Sequence, residues 1–349
     1  MTKETIIDEP QNESEELFER FVLKIDKGQE PLRIDKFLMN RIEGATRNKI
    51  QQAIASKLVH VNGKEIKSNY KIKALDEIIV YSDMSPEDTA VLPEKMDLNI
   101  AFEDDDLIII NKPAGMVVHP GSGNYKGTLL NGIAWYQQQH NLVNTTAMPR
   151  FGLVHRIDKN TSGLLVIAKN DKTLSHLAKQ FFDHTISRKY IALVWGDVKN
   201  DTGTIIAHVG RHLRLRKLFA AFPEGDHGKE AITHYNVLER LGYVTLVECI
   251  LETGRTHQIR VHMKHLGHPL FNDDIYGGDR IVKGTVFAKY KQYVDNCFSI
   301  CARQALHAKT LGFIHPTTEK HVLFDSQLPK DIFQVTEKWR NYATTKSII

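Results

Sequence analysis

One short segment, His155 to Val166, constrains the fold of this chain more than any other. The run from Gly163 to Ala168 is short, apolar and bounded by polar residues, which predicts a buried β-strand. Asp158 stands in the polar turn directly before this run, two residues after Arg156. Because a buried strand is rigid, we expect the turn to hold the Asp158 carboxylate where a loop residue can meet a ligand.

Two interpretations of Asp158 remain open at this point. An aspartate beside a fixed cation stays ionised at neutral pH. An ionised carboxylate can then act as a nucleophile or as a base. Alternatively, Asp158 caps the turn or forms a structural ion pair with Arg156.

The composition excludes several classes of protein. With 349 residues, the chain is long enough for two domains, each with its own core. No apolar run approaches the roughly 20 residues that span a bilayer. The first residues are polar and acidic, without the apolar core of a signal peptide, so we expect a cytoplasmic protein that binds no membrane. The three cysteines, Cys249, Cys297 and Cys301, argue against both a disulfide framework and a zinc site.

The charge of the chain is distributed unevenly. Residues 1–19 contain seven acidic residues and one lysine, so the remainder carries a formal charge of +10. Residues 1–18 have too little apolar content to pack, and we expect a disordered acidic tail there. A basic body indicates a polyanionic partner.

Residues 19–82 are predicted to form a small α/β domain. Ile34, Phe37 and Leu38 follow helical spacing, and Thr46 can cap a second helix. Arg47 and Lys49 stand in the first turn of that helix, where the helix dipole favours anions. We therefore expect an anion to bind beside these two cations, although a solvated basic face is the alternative.

Three segments of this small domain resemble the S4-type RNA-binding domain. They are Arg33 to Leu38, Thr46 to Gln51, and Val59 to Gly63, the last of which predicts a strand entering an Asn-Gly hairpin turn. The chain departs from the S4 pattern at Lys57 and Leu75, where glycine is usual.

After a predicted linker at residues 83–96, a larger domain is expected over residues 97–349. Its strands and helices mix without regular βα alternation, which favours an α+β fold around a largely antiparallel mixed sheet. The glycine-rich loop His119 to Asn124 lacks the phosphate-binding loop pattern and opens no βαβ unit, so we do not expect a nucleotide cradle.

Tyr190 is predicted to open a strand, directly after basic residues. A tyrosine at this point can stack on a base or move a proton. The alternative is an interfacial aromatic residue whose hydroxyl lies in water.

The segment Leu251 to Leu270 predicts a strand end, a turn and a helix. We expect Thr256 to cap this helix and Gly267 to end it. One buried side of the helix is predicted to carry Ile259, Met263 and Leu266.

The same segment carries three basic residues that can bind anions. Arg260 and Lys264 share one helical face, and Arg255 lies just outside the cap. Such a group can hold phosphates, or bind a carboxylate through paired hydrogen bonds. The histidines of the segment lack metal-ligand spacing and have no acidic residue among them, so no metal site is expected.

Taken together, the segments around Asp158, Tyr190 and Arg260 resemble the ribosomal large subunit pseudouridine synthases, close to their D-type subgroup. Asn111 to Gly121 matches the opening motif of that family, and Arg303 to Pro316 matches its closing motifs. The resemblance covers roughly residues 20 to 328. It implies the pseudouridine synthase fold and an isomerase that converts uridine to pseudouridine in RNA without a cofactor or a metal.

The resemblance also implies the roles of individual residues. Asp158 would be the catalytic carboxylate, and Arg260 would pair with it. Tyr190 would pack on the uracil base, and Arg156 would enter the space that the displaced uridine leaves. The other residues expected to bind substrate are His155, Arg255, Arg47 and Lys49.

The chain departs from the family pattern at two positions of the large domain. Ile157 replaces a leucine, and Asn272 replaces a glycine before Asp273. The second change puts the geometry of its loop in question.

Several alternatives stay open from the sequence alone. The carboxylate could attack C1′ or C6, or remove the C2′ proton to give a glycal-like intermediate. Large-subunit ribosomal RNA or its assembly intermediate is the expected partner, and tRNA is the alternative. Two rival functions are a non-catalytic ribosome-assembly factor on the same fold and an RNA-cleaving phosphodiesterase that uses His257 and His262.

Overall fold

The computed structural model describes residues 18–42, 45–82, 91–121, 124–140, 148–215 and 218–347. The chain forms two compact units, residues 1–90 and residues 91–349. Most of the predicted acidic tail, and residues 83–90 of the predicted linker, lie outside the described residues. None of the described helices combines the length and the apolar character that crossing a bilayer requires.

The first unit is a small antiparallel sheet with two helices. Its elements are β1 (Phe18–Lys24), α1 (Ile34–Arg41), α2 (Arg47–Ala55), β2 (Val59–Val61), β3 (Lys64–Glu65) and β4 (Glu77–Ser82). The strands pair antiparallel in the order β1, β4, β2, β3. Both predicted helices are confirmed, and the Thr46 hydroxyl caps α2 by accepting a hydrogen bond from the backbone N–H of Lys49 at 3.4 Å. Strand β1 was not predicted.

The turns of the first unit keep the backbone that the sequence pattern implies. Asn62 and Gly63 both have positive φ, as the predicted Asn-Gly turn requires. Lys57 and Leu75, which replace glycines of the S4 pattern, have φ of 60° and 69°. The left-handed conformation is therefore retained at both positions, although a side chain makes it less favourable by roughly 1–2 kcal/mol.

The second unit is built on one large sheet. Its strands are β5 (Ile100–Glu103), β6 (Leu107–Lys112), β7 (Ser162–Ala168), β8 (Ser187–Trp195), β9 (Thr202–Arg211), β10 (Phe219–Phe222), β11 (Lys229–Arg240), β12 (Val244–Leu251), β13 (Leu306–Ile314) and β14 (His321–Asp325). Its helices are α3 (Leu129–Gln139), α4 (Asp171–Phe182), α5 (Gln258–His265), α6 (Ala288–Ile300) and α7 (Lys330–Ser347). A short 3₁₀ turn spans Pro149–Gly152.

Within the described residues this sheet has ten strands, in the order β10-β9-β11-β12-β8-β13-β7-β6-β5, with β14 paired to β13. Only the β13–β7 pair is parallel among the described pairings. The predicted α+β fold on a largely antiparallel mixed sheet is therefore confirmed.

Both faces of the sheet are covered, which explains its apolar central strands. In β8, Tyr190 packs into one core cluster together with Ile259 and Met263 of α5. The next residue, Ile191, packs into a second cluster that contains Trp339 of α7. This alternation follows from the two-residue period of a strand, and it places Tyr190 on the same face as α5.

Strand β7 fixes the position of the turn that carries Asp158. The strand is buried along its whole length, as predicted. Gly163, at its beginning, has φ of 120°, and a Cβ there would lie 2.2 Å from the backbone oxygen of Ala308 in β13. Glycine thus allows β7 and β13 to approach closely, and the Asp158 turn is held at the edge of a rigid core.

Candidate active site

The Asp158 carboxylate lies in the wall of a pocket and is close to a buried arginine. Its Oδ2 atom is 3.2 Å from Nη1 of Arg260 and 3.8 Å from Nε2 of His257. The side chain of Asp158 is 19% exposed, so a ligand in the pocket can reach it. Arg156 is exposed and makes no ion pair with Asp158 among the described residues. The cation beside Asp158 is therefore Arg260, which lies 102 residues later in the chain.

Arg260 bridges two carboxylates. Its Nε and Nη2 donate to Asp273 at 2.7 and 2.8 Å, which is a bidentate pair, while its Nη1 donates to Asp158. Burial opposes the charge on Arg260, but the hydrogen bonds and charges of the two carboxylates outweigh it, and the pKa of Arg260 is raised. A fixed, permanent cation thus stands beside the Asp158 carboxylate.

Asp273 stabilises the position of Arg260 from the protein interior. Its side chain is fully buried, and its Oδ1 also accepts hydrogen bonds from the backbone N–H groups of Ile275 and Tyr276, both at 3.1 Å. The preceding residue, Asn272, has φ of 56°, a left-handed conformation that asparagine tolerates well. The loop therefore accommodates asparagine where the family pattern has glycine.

His257 contacts Asp158 from the beginning of α5. The sequence predicted that Thr256 would cap this helix, and that prediction is wrong, because His257 occupies the N-cap position with φ of 57° and no side-chain capping bond. The preceding loop is held instead by Oε1 of Gln258, which accepts from the backbone N–H of Arg255 and from the Thr253 hydroxyl, both at 2.9 Å.

The orientation of the His257 ring is set by two aromatic residues. Its Nδ1 is 2.8 Å from the Tyr276 hydroxyl, and the ring of Phe219 lies edge-on to it. Burial lowers the pKa of His257, although the charge of Asp158 opposes this shift. The imidazole beside Asp158 is therefore neutral near pH 7.

Other expectations for α5 had mixed outcomes. Ile259 and Met263 are buried and Gly267 follows the helix end, as predicted. Leu266 is 38% exposed, which contradicts the prediction that it belongs to the buried side. It is exposed because it forms the C-cap, where the helical face ends.

Tyr190 lies in the middle of β8, not at its start, and its ring is 8% exposed. This burial argues against the alternative of an interfacial tyrosine on the protein surface. Burial raises the pKa of Tyr190, and the negative charge of Asp158 adds to that effect. The side chain stays protonated and lines the same pocket as Asp158 and Arg260.

This pocket has a volume of about 300 Å³. Ligand pockets span roughly 300–1,000 Å³, so the space suits a single small group and not a duplex. The wall of the pocket mixes charged and polar residues with apolar side chains, and the apolar ones are Val154, Ile157, Phe181, Leu251, Ile259 and Leu306.

His155 and Arg255, which were also expected to bind substrate, line the pocket, but each makes a hydrogen bond within the protein. The Nε2 of His155 accepts a hydrogen bond from the backbone N–H of Val166, and its ring stacks on Phe181. Burial lowers the pKa of His155 to about 3, with Arg188 adding to the shift. The Nε of Arg255 donates to the backbone oxygen of Glu230 at 2.9 Å.

The two residues expected to bind an anion in the first unit differ in their environment. Arg47 donates from Nε to the buried carboxylate of Asp35 at 3.1 Å, where Arg33 and Gln51 also donate. The hydrogen bond from Arg33 is the main reason that the pKa of Asp35 is lowered. Lys49 is exposed. Arg47 therefore has a structural partner, with about half of its side chain still exposed.

Lys112 is a residue near the site that sequence reasoning missed. Its ammonium group is fully buried and donates to the backbone oxygens of Pro113, Met116 and Lys159 at 2.7, 2.9 and 3.0 Å. Burial, with help from Arg303, lowers the pKa of Lys112 to about 7, although Asp158 opposes the shift. Lys112 ties the opening motif to the residue after Asp158, a long-range contact that no local pattern reveals.

One group of side chains among the described residues has the spacing of a metal site, namely Asp104, Asp106 and His315. The Nδ1 of His315 accepts hydrogen bonds from two backbone N–H groups, so its Nε2 carries the proton and donates to Asp104 at 2.9 Å. That ring has no lone pair left for a metal. This group is not part of the pocket lining.

Comparisons with known proteins match this chain to one family. A family model described as RNA pseudouridylate synthase matches residues 106–265, and an S4 domain model matches residues 32–78. An uncharacterised RNA pseudouridine synthase of Chlorobaculum parvum is 46% identical over 325 residues, which cover 92% of this chain and 98% of the relative. The ribosomal large subunit pseudouridine synthase D of Nitrosomonas europaea is 40% identical over 89% of this chain and 85% of its own length.

Among solved structures, human RNA pseudouridylate synthase domain containing 4 aligns with a TM-score of 0.54. The alignment covers 69% of this chain and 93% of the human chain, at 22% identity. At that identity the likeness supports the fold.

Proposed function

The chain belongs to the RNA pseudouridine synthase family, and on that basis we propose that it modifies large-subunit ribosomal RNA with Asp158 as its catalytic carboxylate. Membership makes it an isomerase of uridine in RNA. Several relatives at about 40% identity carry the name ribosomal large subunit pseudouridine synthase D, which supports the proposed substrate. The observation that carries the proposed site is the Asp158 carboxylate, 3.2 Å from Arg260 in a pocket that Tyr190 also lines.

The reaction requires little more than a positioned carboxylate. The N1–C1′ bond breaks, the uracil turns, C5 joins C1′, and the proton lost from C5 is balanced by one gained at N1. Asp158 can serve either route, by attacking C1′ (or C6 of the base) or by removing the C2′ proton. Because the reaction is an isomerisation without a change of redox state, we expect neither a cofactor nor a metal.

Arg260 is proposed to orient the Asp158 carboxylate. Its Nη1 donates a hydrogen bond to Oδ2 of Asp158 at 3.2 Å, and a charge-assisted hydrogen bond of this kind holds the carboxylate in one direction. Because Asp273 holds the other edge of the guanidinium, Arg260 presents Nη1 to Asp158 in one direction. The neutral His257 ring lies near the same oxygen, with its Nε2 3.8 Å from Oδ2 of Asp158.

Tyr190 and Arg156 are proposed to handle the displaced nucleotide. The C1′ of a stacked nucleotide is inaccessible, and flipping it out costs a few kcal/mol. The buried Tyr190 ring gives the uracil a surface to pack on, while the exposed Arg156 is free to stack in the vacated gap. The apolar side chains in the pocket wall limit water around the detached uracil, which must be recaptured.

The S4 domain is proposed to supply phosphate attraction and positioning. Lys49 and the exposed part of Arg47 stand at the beginning of α2, where the helix dipole favours an anion. A ribosomal RNA substrate would place the enzyme where ribosomes are assembled, and the cytoplasmic location expected from the sequence stays a prediction.

The decisive experiment maps pseudouridines in the RNA of cells that contain or lack the gene for this chain. We expect one or more pseudouridines in large-subunit ribosomal RNA to disappear, and to return with the wild-type gene but not with Asp158→Asn. Asp295→Asn, on the exposed face of α6, is the matched control and should restore them. Loss confined to tRNA would replace the proposed substrate, and restoration by Asp158→Asn would remove Asp158 from its role.

The same experiment separates the rival functions. The comparisons favour the synthase over a non-catalytic assembly factor, which would leave the pseudouridine map unchanged. A phosphodiesterase would produce cleaved RNA in place of modified RNA. His262, one of its two proposed catalytic groups, is fully buried and does not line the pocket, which argues against it.

A further inference from the structure

Arg188 places a buried positive charge in the wall of the active-site pocket. It lies two residues before Tyr190 on β8, so the two side chains point to the same face of the sheet. Both line the pocket, and Arg188 is only 7% exposed. Within the part of the chain that the structure describes, Arg188 donates a hydrogen bond to a backbone carbonyl and pairs with no carboxylate.

Most hydrogen-bond donors of Arg188 have no acceptor within the described residues. Its Nη2 donates to the backbone oxygen of Glu252 at 2.9 Å, and its guanidinium lies over the ring of Phe181. The buried Nε has no partner there. An arginine carries five N–H donors and a permanent charge, and leaving such a group buried and unpaired is strongly unfavourable. Burial accordingly lowers the pKa of Arg188.

Gly254 keeps the space beside this guanidinium open. A Cβ at Gly254 would lie 2.7 Å from Nη1 of Arg188, and among the described residues that guanidinium is all that it would meet within 4 Å. The φ of Gly254 is outside the left-handed range, so the backbone itself does not require glycine. The absence of a side chain at Gly254 therefore leaves room for a ligand to reach the Arg188 guanidinium.

We propose that Arg188 binds a phosphodiester oxygen of the RNA next to the flipped nucleotide, and that Gly254 keeps the approach to its Nη1 open. Phosphodiesters are the anions of RNA, and the planar guanidinium matches two phosphate oxygens. The carbonyl oxygens of uracil are neutral and would compensate the buried charge less well. The inference rests on the proposed position of the flipped nucleotide beside Asp158.

The test compares Arg188→Gln and Arg188→Lys with the wild type on an unmodified transcript that carries the mapped uridine. Binding is measured over a series of salt concentrations, and conversion is measured in a single turnover at saturating enzyme. We expect Arg188→Gln to weaken binding at low salt about tenfold, because a charge-assisted hydrogen bond is lost. The slope of log affinity against log salt should fall by about 0.7, the value for one phosphate of single-stranded RNA.

The other variants make the test specific. Arg188→Lys retains the charge and should restore the salt slope. Lys291→Gln, which removes an exposed charge from α6, should bind like the wild type. An unchanged slope in Arg188→Gln would overturn the phosphate contact. If Arg188→Gln converts the RNA slowly at saturation but keeps the salt slope, Arg188 contacts the uracil or supports the structure of the pocket wall.

Gly254→Ala gives an independent test through a double-mutant cycle. The methyl group displaces the Arg188 guanidinium without straining the backbone, so binding should weaken several-fold in the wild-type background. In the Arg188→Gln background the same change should have no effect. Equal effects in both backgrounds would show that Gly254 does not act through Arg188.

Thermal unfolding of each variant reveals a folding defect. If Arg188→Gln fails to fold, the salt slope of Gly254→Ala decides the question: a slope that falls by about 0.7 supports the phosphate contact, and an unchanged slope overturns it. A wild-type enzyme that leaves the ribosomal transcript unmodified refutes the proposed substrate, and the variants are then compared on the RNA that the mapping identifies. A wild-type enzyme that modifies its RNA while Arg188→Gln keeps the slope refutes the Arg188 inference alone.

Discussion

Asp158 and Asp273 are bound by different nitrogen atoms of one guanidinium. Arg260 contacts Asp158 through Nη1 at 3.2 Å, and it contacts Asp273 through Nε and Nη2 at 2.7 and 2.8 Å. Asp273 is fully buried, whereas Asp158 faces the pocket. The buried carboxylate thus fixes the arginine, and the arginine fixes the carboxylate that the substrate meets.

This relationship predicts that Asp273→Asn damages the enzyme although Asp273 does not line the pocket. Removing one partner of a buried pair costs about 3–5 kcal/mol of stability, because the remaining charge is poorly compensated. Arg260 would then turn towards Asp158, and a misplacement of about 1 Å can slow a reaction about 100-fold. Urea unfolding and single-turnover conversion measure the two effects.

Asp331→Asn is the matched control for that experiment. Asp331 also forms a bidentate pair, with Arg303, but its side chain is 28% exposed and it does not line the pocket. Its loss should destabilise the protein less and leave the rate at saturation unchanged. Equal rates for Asp273→Asn and wild type would show that Arg260 orients Asp158 without help.

The sequence predicted those parts of the fold that depend on local patterns. Strand β7 was foreseen from one apolar run, and α1 was foreseen from apolar residues at helical spacing. The cap at Thr46 and the turn at Asn62 follow from the same kind of local chemistry. These features depend on residues that are close in the sequence.

The site itself depends on contacts that local patterns do not contain. Arg260 lies 102 residues from Asp158, and only the family resemblance placed the two together. Nothing near Lys112 indicated that its ammonium would hold the backbone after Asp158. The cap at Thr256 was mispredicted because Gln258 organises the loop through its side chain, a competing interaction that the capping rule does not weigh.

Gly163→Ala is predicted to be strongly destabilising. The added Cβ would lie 2.2 Å from the Ala308 oxygen, and φ of 120° is unfavourable for any side chain. We expect a loss of several kcal/mol, about 3 or more, in the free energy of unfolding. Gly121→Ala is the control, since no atom of the described residues lies within 4 Å of its Cβ position and its φ is outside the left-handed range. Similar stability of the two variants would show that β7 and β13 can move apart easily.

Lys112 predicts a specific dependence of stability on pH. The pKa of Lys112 is lowered to about 7 in the folded protein, against an ordinary value of 10.5. Between these two pH values the unfolded chain binds more protons than the folded one, so stability rises with pH. Below about pH 7 Lys112 is protonated in both the folded and the unfolded chain. Its contribution to the free energy of unfolding is then constant and at its least favourable value.

Lys112→Met isolates this contribution, because methionine keeps a similar length without a titrating group. The difference in unfolding free energy between wild type and variant should be flat below pH 7. It should then change in favour of the wild type as the pH is raised towards 10. Denaturant titrations at a series of pH values measure it, and a difference that stays constant from pH 7 to 10 would contradict the lowered pKa.

Tyr276→Phe is predicted to slow the reaction without weakening RNA binding. The Tyr276 hydroxyl holds Nδ1 of His257 at 2.8 Å, and the other ring nitrogen of His257 lies 3.8 Å from Asp158. Tyr276→Phe removes the hydroxyl's hydrogen bond to His257 and the one that it accepts from the backbone N–H of Phe219 at 3.3 Å. Each is worth about 0.5–1.5 kcal/mol, and losing the first lets the imidazole turn, so we expect a rate decrease of up to about tenfold at saturating RNA. Tyr293→Phe removes a comparable bond, to the Lys338 backbone oxygen, outside the pocket lining. Both variants should lose similar stability, but only Tyr276→Phe should react more slowly. Equal reaction rates in the two variants would show that His257 faces Asp158 without a hydrogen bond from Tyr276.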